Sequence, residues 1–414
     1  MGQDWLIESF RWYLVLATVT WGLAPLARWL LGGLADRGAT VMRPLALLAF
    51  LWPAWLLTSL SPVPYTSFLL VCTLILLSVA GWFLAFRVGW IDRDWVSTLV
   101  MVEAASMVAF FGYVLLRGFT PEIIWTEKPM DIAFLTSSAV TAEMPPADPW
   151  YSGESINYYY LGYLIHGTIG RLADVPTWVA FNLALATTAS MSVVAAGGAA
   201  FNIIRASVSR RVALLASALA GFLLVLAGNM RAPVEVLREG TSAIDQGWWG
   251  TIGWDSSRVV VDTGSQQEQT INEFPWFSLL LGDLHPHLTA LPFTILAVVL
   301  ALNVLRPYRA DGTSIRGALP LIATGVMIGA LYPLNSLDFP TYLVVVFGAV
   351  LISRGLTTLF LAEAGIIGIS AFLAWLPCLV TFVPFAGTDD SAMPDWLRDV
   401  PVVSRDFTLL QWHA

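Results

Sequence analysis

Long apolar runs separated by polar connections are the dominant pattern of this chain. A helix that crosses a bilayer needs about 20 mostly apolar residues. Ten runs approach that length, at residues 12–32, 41–60, 66–86, 97–116, 177–203, 211–228, 286–305, 317–335, 340–354 and 357–384. Two long polar loops, at 117–176 and 229–285, interrupt them. The pattern predicts an all-α, polytopic transmembrane bundle of about ten spans.

Composition agrees with a membrane protein and excludes other classes. Apolar residues make up 57% of the 414 residues and charged residues only 12%, which is too little charge for the surface of a soluble protein. The net charge of −8 argues against nucleic acid as a partner. Cys72 and Cys378 both lie in apolar runs, so no disulfide framework is expected.

Arginine distribution predicts the orientation of the spans. Twelve arginines lie in the short loops near 28–43, 87–94, 204–211, 306–316 and 354, whereas the two long loops are acidic. Cytoplasmic loops of membrane proteins carry the excess of basic residues. The long loops are therefore expected to face outward, with any active site on that face.

The second long loop ends in FSLLLGDLHPHLTALPF, which holds two of the four histidines. Pro286 suits the first turn of a helix and restricts His285 to an extended conformation. Asp283, His285 and His287 would then surround a helix N-terminus, a favourable position for a phosphate. They are also candidate ligands of a divalent cation such as Mg²⁺ or Mn²⁺. The alternative is a polar cluster that only caps the helix.

The first long loop contains a pair of carboxylates, Glu127 and Asp131, four residues apart. Such a pair is suited to general-base chemistry, although a structural role is equally compatible with the spacing. The segment NYYYLGYLIHGTIGRL predicts an interfacial helix, with its tyrosines as membrane anchors or as contacts to a lipid substrate. Further candidate residues for binding substrate or phosphate are Lys128, Asp148, Tyr158, Tyr159, Tyr160, Arg258, His285, His287 and Asp338.

Two acidic residues, Glu103 and Glu363, lie deep within apolar runs. Ionisable residues inside a membrane usually mark function. They leave open a transporter or lipid flippase, in which the two carboxylates would line an ion path. The other explanation is that they are hydrogen-bonded between helices. A non-catalytic scaffold of the cell envelope is a further alternative.

Several segments occur in a recognisable order between about residues 100 and 385: EKPMD, PPADPW, INYYYLGY, WDSSRV, EFPWFSLLLGDLHPH and DFPTY. They resemble the uncharacterised prokaryotic membrane proteins called the YYY family. That family is similar in layout to the GT-C glycosyltransferases, which use lipid-linked sugars. The resemblance implies a GT-C-like membrane core at 97–385, preceded by N-terminal transmembrane helices at 1–96. The outer segment at 386–414 ends in RDFTLLQWHA, which resembles the start of a further span, so we expect the chain to be a fragment of a longer protein.

The resemblance also implies an activity and a location. We expect a multi-pass protein of a prokaryotic plasma membrane that moves a sugar from a polyprenyl-phosphate donor to an acceptor at the outer face. Membrane lipid and the lipid-linked donor would be its partners. Asp131 would be the catalytic carboxylate and Glu127 its partner, with Asp283, His285 and His287 holding the departing phosphate directly or through a cation.

Overall fold

The computed structural model describes residues 4–240, 242, 253–261, 269–306 and 315–382. Within these residues the regular secondary structure is α-helical, with two short 3₁₀ turns and one antiparallel pairing of two-residue strands, β1 (Val260–Val261) with β2 (Gln269–Thr270), and loops connect the helices. The helices are α1 (Trp5–Gly22), α2 (Ala24–Leu31), α3 (Met42–Leu60), α4 (Ser67–Val88), α5 (Arg93–Arg117), α6 (Lys128–Val140), α7 (Leu161–Ala173), α8 (Thr177–Ile204), α9 (Arg210–Leu226), α10 (Arg231–Glu239), α11 (Pro275–Leu281), α12 (Pro286–Val304), α13 (Ile315–Gly329), α14 (Leu331–Leu334), α15 (Asp338–Arg354), α16 (Thr358–Ala374) and α17 (Leu376–Thr381).

The number of spans in the described part of the chain differs from the number that the sequence pattern predicts. Six helices in the described residues are long and apolar enough to cross a membrane, or up to eight if each of two bent pairs counts as one span. The described residues therefore support fewer spans than the predicted count of about ten. The first apolar run bends by 44° between α1 and α2, next to Pro25, and α15 and α16 each have only 17 residues. Apolar length alone does not reveal such breaks.

Helix α8 forms the centre of the bundle, because 83% of the residues in its most apolar stretch are buried inside the protein. Its sequence, TWVAFNLALATTASMSVVAAGGAAFNII, is rich in Ala, Gly, Ser and Thr. Small side chains let helix backbones approach closely in a membrane, where no hydrophobic effect drives helices together. Helices α5, α9 and α12 pack on it. In the most apolar stretch of α4 only 11% of the residues are buried, as expected for a helix facing lipid.

Both deeply placed carboxylates are paired with arginines. Glu103 lies 2.8 Å from a guanidinium nitrogen of Arg43 and accepts hydrogen bonds from Tyr13 and Trp21. Glu363 lies 2.8 Å from Arg354. These contacts bear out the expectation of residues hydrogen-bonded between helices, because a charge buried among apolar groups needs such a partner.

The predicted interfacial helix, α7, is enclosed by protein. Helix α7 begins only after the tyrosine triplet, and the ten residues from Leu161 to Gly170 are all buried. Gly162 permits this burial, because a Cβ at its position would lie 2.5 Å from the Thr289 hydroxyl of α12. An amphipathic pattern with polar tyrosine tips describes a helix enclosed by protein as well as one lying on lipid, so the sequence did not distinguish the two.

Candidate functional site

The first part of the site is the N-terminal turn of α6. Trp125 and Thr126, just before it, adopt left-handed φ angles of 66° and 54°, which non-glycine residues rarely adopt outside functional turns. Glu127 follows in the N-cap position, and Asp131 lies in the first turn. The positive end of the helix dipole favours carboxylates there. Asp131 is completely buried, whereas the Glu127 side chain is 63% exposed.

The second part is the turn between α11 and α12. Gly282 ends α11 with a φ of 73°, and the Asp283 N–H donates to the Ser278 carbonyl. His285 is then the N-cap of α12, with φ −67° and ψ 154°, and Pro286 occupies the first turn. The sequence-based prediction of an extended His285 before a helix is confirmed.

Close packing of α7 against both α6 and α12 brings these two turns together. The Tyr163 hydroxyl of α7 donates to Asp131 Oδ1 at 2.5 Å. His285 Nε2 lies 2.9 Å from Glu127 Oε2 and 3.0 Å from the Tyr158 hydroxyl. Its other ring nitrogen, Nδ1, lies 3.7 Å from both Asp131 Oδ1 and Asp283 Oδ1. We call Glu127, Asp131, Asp283 and His285 the acidic cluster.

Burial and mutual repulsion shift the protonation of this cluster. Burial, followed by the negative charge of Asp131, raises the pKa of Asp283 to about 7. Burial alone would lower the pKa of His285, but its close approach to Asp131 and the charges of Asp283 and Glu127 outweigh it and raise that pKa to about 9. Both shifts show that the crowded carboxylates of the cluster repel one another and attract positive charge.

Two basic residues lie beside the acidic cluster. Lys128 is buried, and burial together with the charge of Arg117 lowers its pKa to about 8. The Arg117 guanidinium packs over Gly282, where a Cβ would come within 2.4 Å of it. It also donates to Asn182 at 2.9 Å. The sequence pointed to only one of these two cations. Lys128 stands out as the one lysine of the chain, whereas Arg117 ends an ordinary apolar run.

A second group, the Glu273–His287 pair, adjoins the cluster. Glu273 Oε2 lies 2.7 Å from His287 Nε2, and this contact lowers the pKa of Glu273. Sequence reasoning missed Glu273, although it stands in the segment EFPWFSLLLGDLHPH. The expected ligand set of Asp283, His285 and His287 is not found as one group. Asp283 instead lies with Asp131 and His285 on one side and with Glu273 and His287 on the other.

The tyrosine triplet has three separate environments. Tyr158 contacts His285, whereas Tyr159 accepts a hydrogen bond from Ser336 and stacks on Phe382. Tyr160 is buried and accepts from the Trp55 indole N–H at 3.0 Å. The anchoring role expected for the triplet is therefore wrong for Tyr160.

The remaining predicted residues lie at other positions around this end of the bundle. Asp148 accepts from the backbone N–H groups of Trp150 and Tyr151 within its own loop. Arg258 packs over the Trp254 ring. Asp338 begins α15 and accepts from Asn335 at 3.0 Å. No direct contact with the acidic cluster is present for these three in the described ranges.

A cavity of about 650 Å³ lies among α1, α5, α6 and α8. Its walls are mostly apolar and include Trp5, Ile123, Ile132 and Trp178, and Arg117 also lines it. Arg117 thus contacts both this cavity and the turn that carries Asp283. Asp4 and Glu8 line the cavity as well, and Arg117 is its one cationic lining residue within the described part of the chain. A largely apolar cavity with a buried cation at one end is suited to a lipid with an anionic head group there.

A family model for uncharacterised membrane proteins, DUF2298, matches residues 49–398. The chain belongs to this family. The match covers the acidic cluster, both basic residues and every helix from α4 onward, and it agrees with the resemblance drawn from the sequence motifs. No curated protein and no solved structure matches the chain. The family assignment establishes a membrane protein with several apolar helices and leaves its chemistry to be inferred from the site.

Proposed function

We propose that this DUF2298 protein is a membrane glycosyltransferase that moves a sugar from a polyprenyl-phosphate donor to an acceptor hydroxyl at the outer face of a prokaryotic plasma membrane. The observation that carries the proposal is the meeting of Glu127 and Asp131 with Asp283 and His285, from segments about 150 residues apart, beside two buried cations. The GT-C-like layout inferred from the motifs supports the same conclusion, as an analogy.

In this proposal Glu127 is the general base. Asp131 was expected to take this role, but it is completely buried, whereas Glu127 presents a largely exposed carboxylate beside the cluster. Its Oε2 contacts His285, which orients the group. The acceptor hydroxyl gives its proton to Glu127 while its oxygen forms a bond to the anomeric carbon of the sugar.

The leaving group is the lipid phosphate. The bond between the anomeric carbon and the phosphate oxygen breaks, and the phosphate keeps the electron pair. Lys128 and Arg117 are well placed to stabilise that charge, since buried cations act more strongly than exposed ones. The cavity among α1, α5, α6 and α8 would receive the first isoprene units, with the phosphate next to Arg117.

The test is turnover of the lipid donor by the full chain in nanodiscs. A panel of polyprenyl-phosphate hexoses and pentoses is supplied with a cell-envelope fraction as acceptor, and released polyprenyl phosphate is measured. We expect Glu127→Gln to lower kcat by about 10²–10⁴-fold, the usual contribution of a general base. Glu143→Gln, at an exposed acid of the same loop, is the control and should keep full activity. No turnover of any donor by the wild type, or equal rates for both variants, would overturn the proposal.

A further inference from the structure

Three buried polar atoms of the acidic cluster have no hydrogen-bond partner within the described residues: Asp131 Oδ2, Asp283 Oδ1 and His285 Nδ1. They belong to side chains from two distant turns, and both carboxylates are more than nine-tenths buried. A buried carboxylate oxygen without a partner is costly, because it has lost its bonds to water and gained none in return. Three such atoms together indicate a ligand of positive charge.

The surroundings of His285 show which of its nitrogens would bind that ligand. Nε2 is engaged by Glu127 at 2.9 Å and by Tyr158 at 3.0 Å. A carboxylate that accepts the N–H of one ring nitrogen leaves the other nitrogen to exchange its proton for a metal ion, as in carboxylate–histidine–metal arrangements. Nδ1 is that other nitrogen, and it faces both aspartates.

The distances favour a metal ion over direct hydrogen bonds. Nδ1 lies 3.7 Å from an oxygen of each aspartate, which is too long for a hydrogen bond. One ligand atom from each of the three residues lies within 4.8 Å of the other two. Metal–ligand bonds of about 2.0–2.3 Å place ligand atoms at such separations around a single ion.

We propose that Asp131, Asp283 and His285 Nδ1 bind one divalent cation of the Mn²⁺ or Mg²⁺ type. Two carboxylates and one imidazole suit such a cation, and three ligands leave coordination positions open. The open positions would take oxygens of the lipid phosphate, a part of the inference that rests on the proposed function. When bound there, the cation adds positive charge beside the departing phosphate.

The neighbouring Glu273–His287 pair is a less suitable cation site. Its two side chains already contact each other at 2.7 Å, and each is about 40% exposed, so neither needs another partner. The proposal is therefore one cation per chain, bound on the Asp131 side of Asp283. The pair supplies matched control variants, because it shares Asp283 and lies beside the same turn.

Mn²⁺ itself is the probe. The full chain, purified in nanodiscs and stripped with EDTA, is titrated with Mn²⁺ and followed by electron paramagnetic resonance. We expect one saturable Mn²⁺ per chain, with a directly bonded ¹⁴N in the electron spin-echo modulation. Asp283→Asn should weaken binding at least tenfold, and His285→Gln should remove the nitrogen signal. Glu273→Gln and His287→Gln should change neither.

Each outcome supports or overturns the assignment. No saturable binding by the wild type, two equivalent ions per chain, or loss of the nitrogen signal in His287→Gln instead of His285→Gln would overturn it. If Asp283→Asn or His285→Gln does not fold, Mn²⁺ titration of Tyr163→Phe decides, because this variant disturbs Asp131 without removing a ligand. Weakened Mn²⁺ binding supports the site, and unchanged binding overturns the place of Asp131 in it.

The glycosyltransferase proposal is tested separately by the same samples. Glu127→Gln keeps an oxygen that accepts the His285 N–H, so we expect it to bind Mn²⁺ while losing sugar transfer. Mn²⁺ binding without transfer by the wild type would overturn the proposed function and leave the cation site. Sugar transfer that persists in EDTA, with no Mn²⁺ binding, would overturn the cation site and leave the proposed function.

Discussion

Replacing Tyr163 with phenylalanine isolates the interaction that holds Asp131 in the cluster. The Tyr163 hydroxyl donates to Asp131 Oδ1 at 2.5 Å, and both side chains are almost completely buried. Phenylalanine keeps the ring packing and opens no large cavity. In the described residues this is the only hydrogen bond to the carboxylate, since Oδ2 has none. A hydrogen bond to a charged group contributes about 1.5–3 kcal/mol, and the burial places this one near 3 kcal/mol.

The free energy of unfolding is measured by titrating dodecyl-maltoside micelles with dodecyl sulfate, without divalent cations, and following tryptophan fluorescence. Tyr160→Phe is the matched control, because Tyr160 is equally buried but contacts the neutral Trp55 indole. That variant should cost about 1 kcal/mol, the usual value for a neutral hydrogen bond.

The expected difference in cost between Tyr163→Phe and Tyr160→Phe comes from the charge of Asp131. Removing that charge therefore checks the argument. In an Asp131→Asn background the cost of Tyr163→Phe should fall to about 1 kcal/mol, since the hydrogen bond becomes neutral. Equal costs for Tyr163→Phe and Tyr160→Phe, or a cost unchanged by Asp131→Asn, would refute the reasoning.

Two further predictions concern the turn and the lysine next to the cluster. Gly282→Ala should cost about 1–2 kcal/mol from its left-handed backbone, as should Gly89→Ala at a φ of 74°. Only Gly282→Ala should also displace the Arg117 guanidinium and lower sugar transfer, so equal activity in the two variants would contradict the packing argument. Lys128→Met should weaken binding of a polyprenyl-phosphate donor by about 10–100-fold, equivalent to one charged hydrogen bond. Unchanged donor affinity in a fluorescence titration would remove Lys128 from the phosphate site.

Local signals in the sequence predicted the turn before α12 correctly. Pro286 marked the start of that helix and the extended conformation of His285. These properties depend on backbone geometry within a few residues.

Contacts over long sequence distances could not be predicted in the same way. Glu273 looked like an ordinary loop acid, yet the turn after α11 directs His287 back to it. The buried position of α7 depends on Gly162 meeting Thr289, 127 residues later. The span count differs for a related reason, because apolar content does not show where packing bends a helix.

The sequence by itself determined a helical membrane protein with an aspartate and two histidines around the start of α12, since hydrophobicity and turn chemistry are local properties. Only the tertiary structure decided that Asp131, Asp283 and His285 meet, that Tyr163 holds the first of them, and that Glu273 engages His287. Those contacts depend on how α6, α7 and α12 pack, and many distant small residues set that packing together.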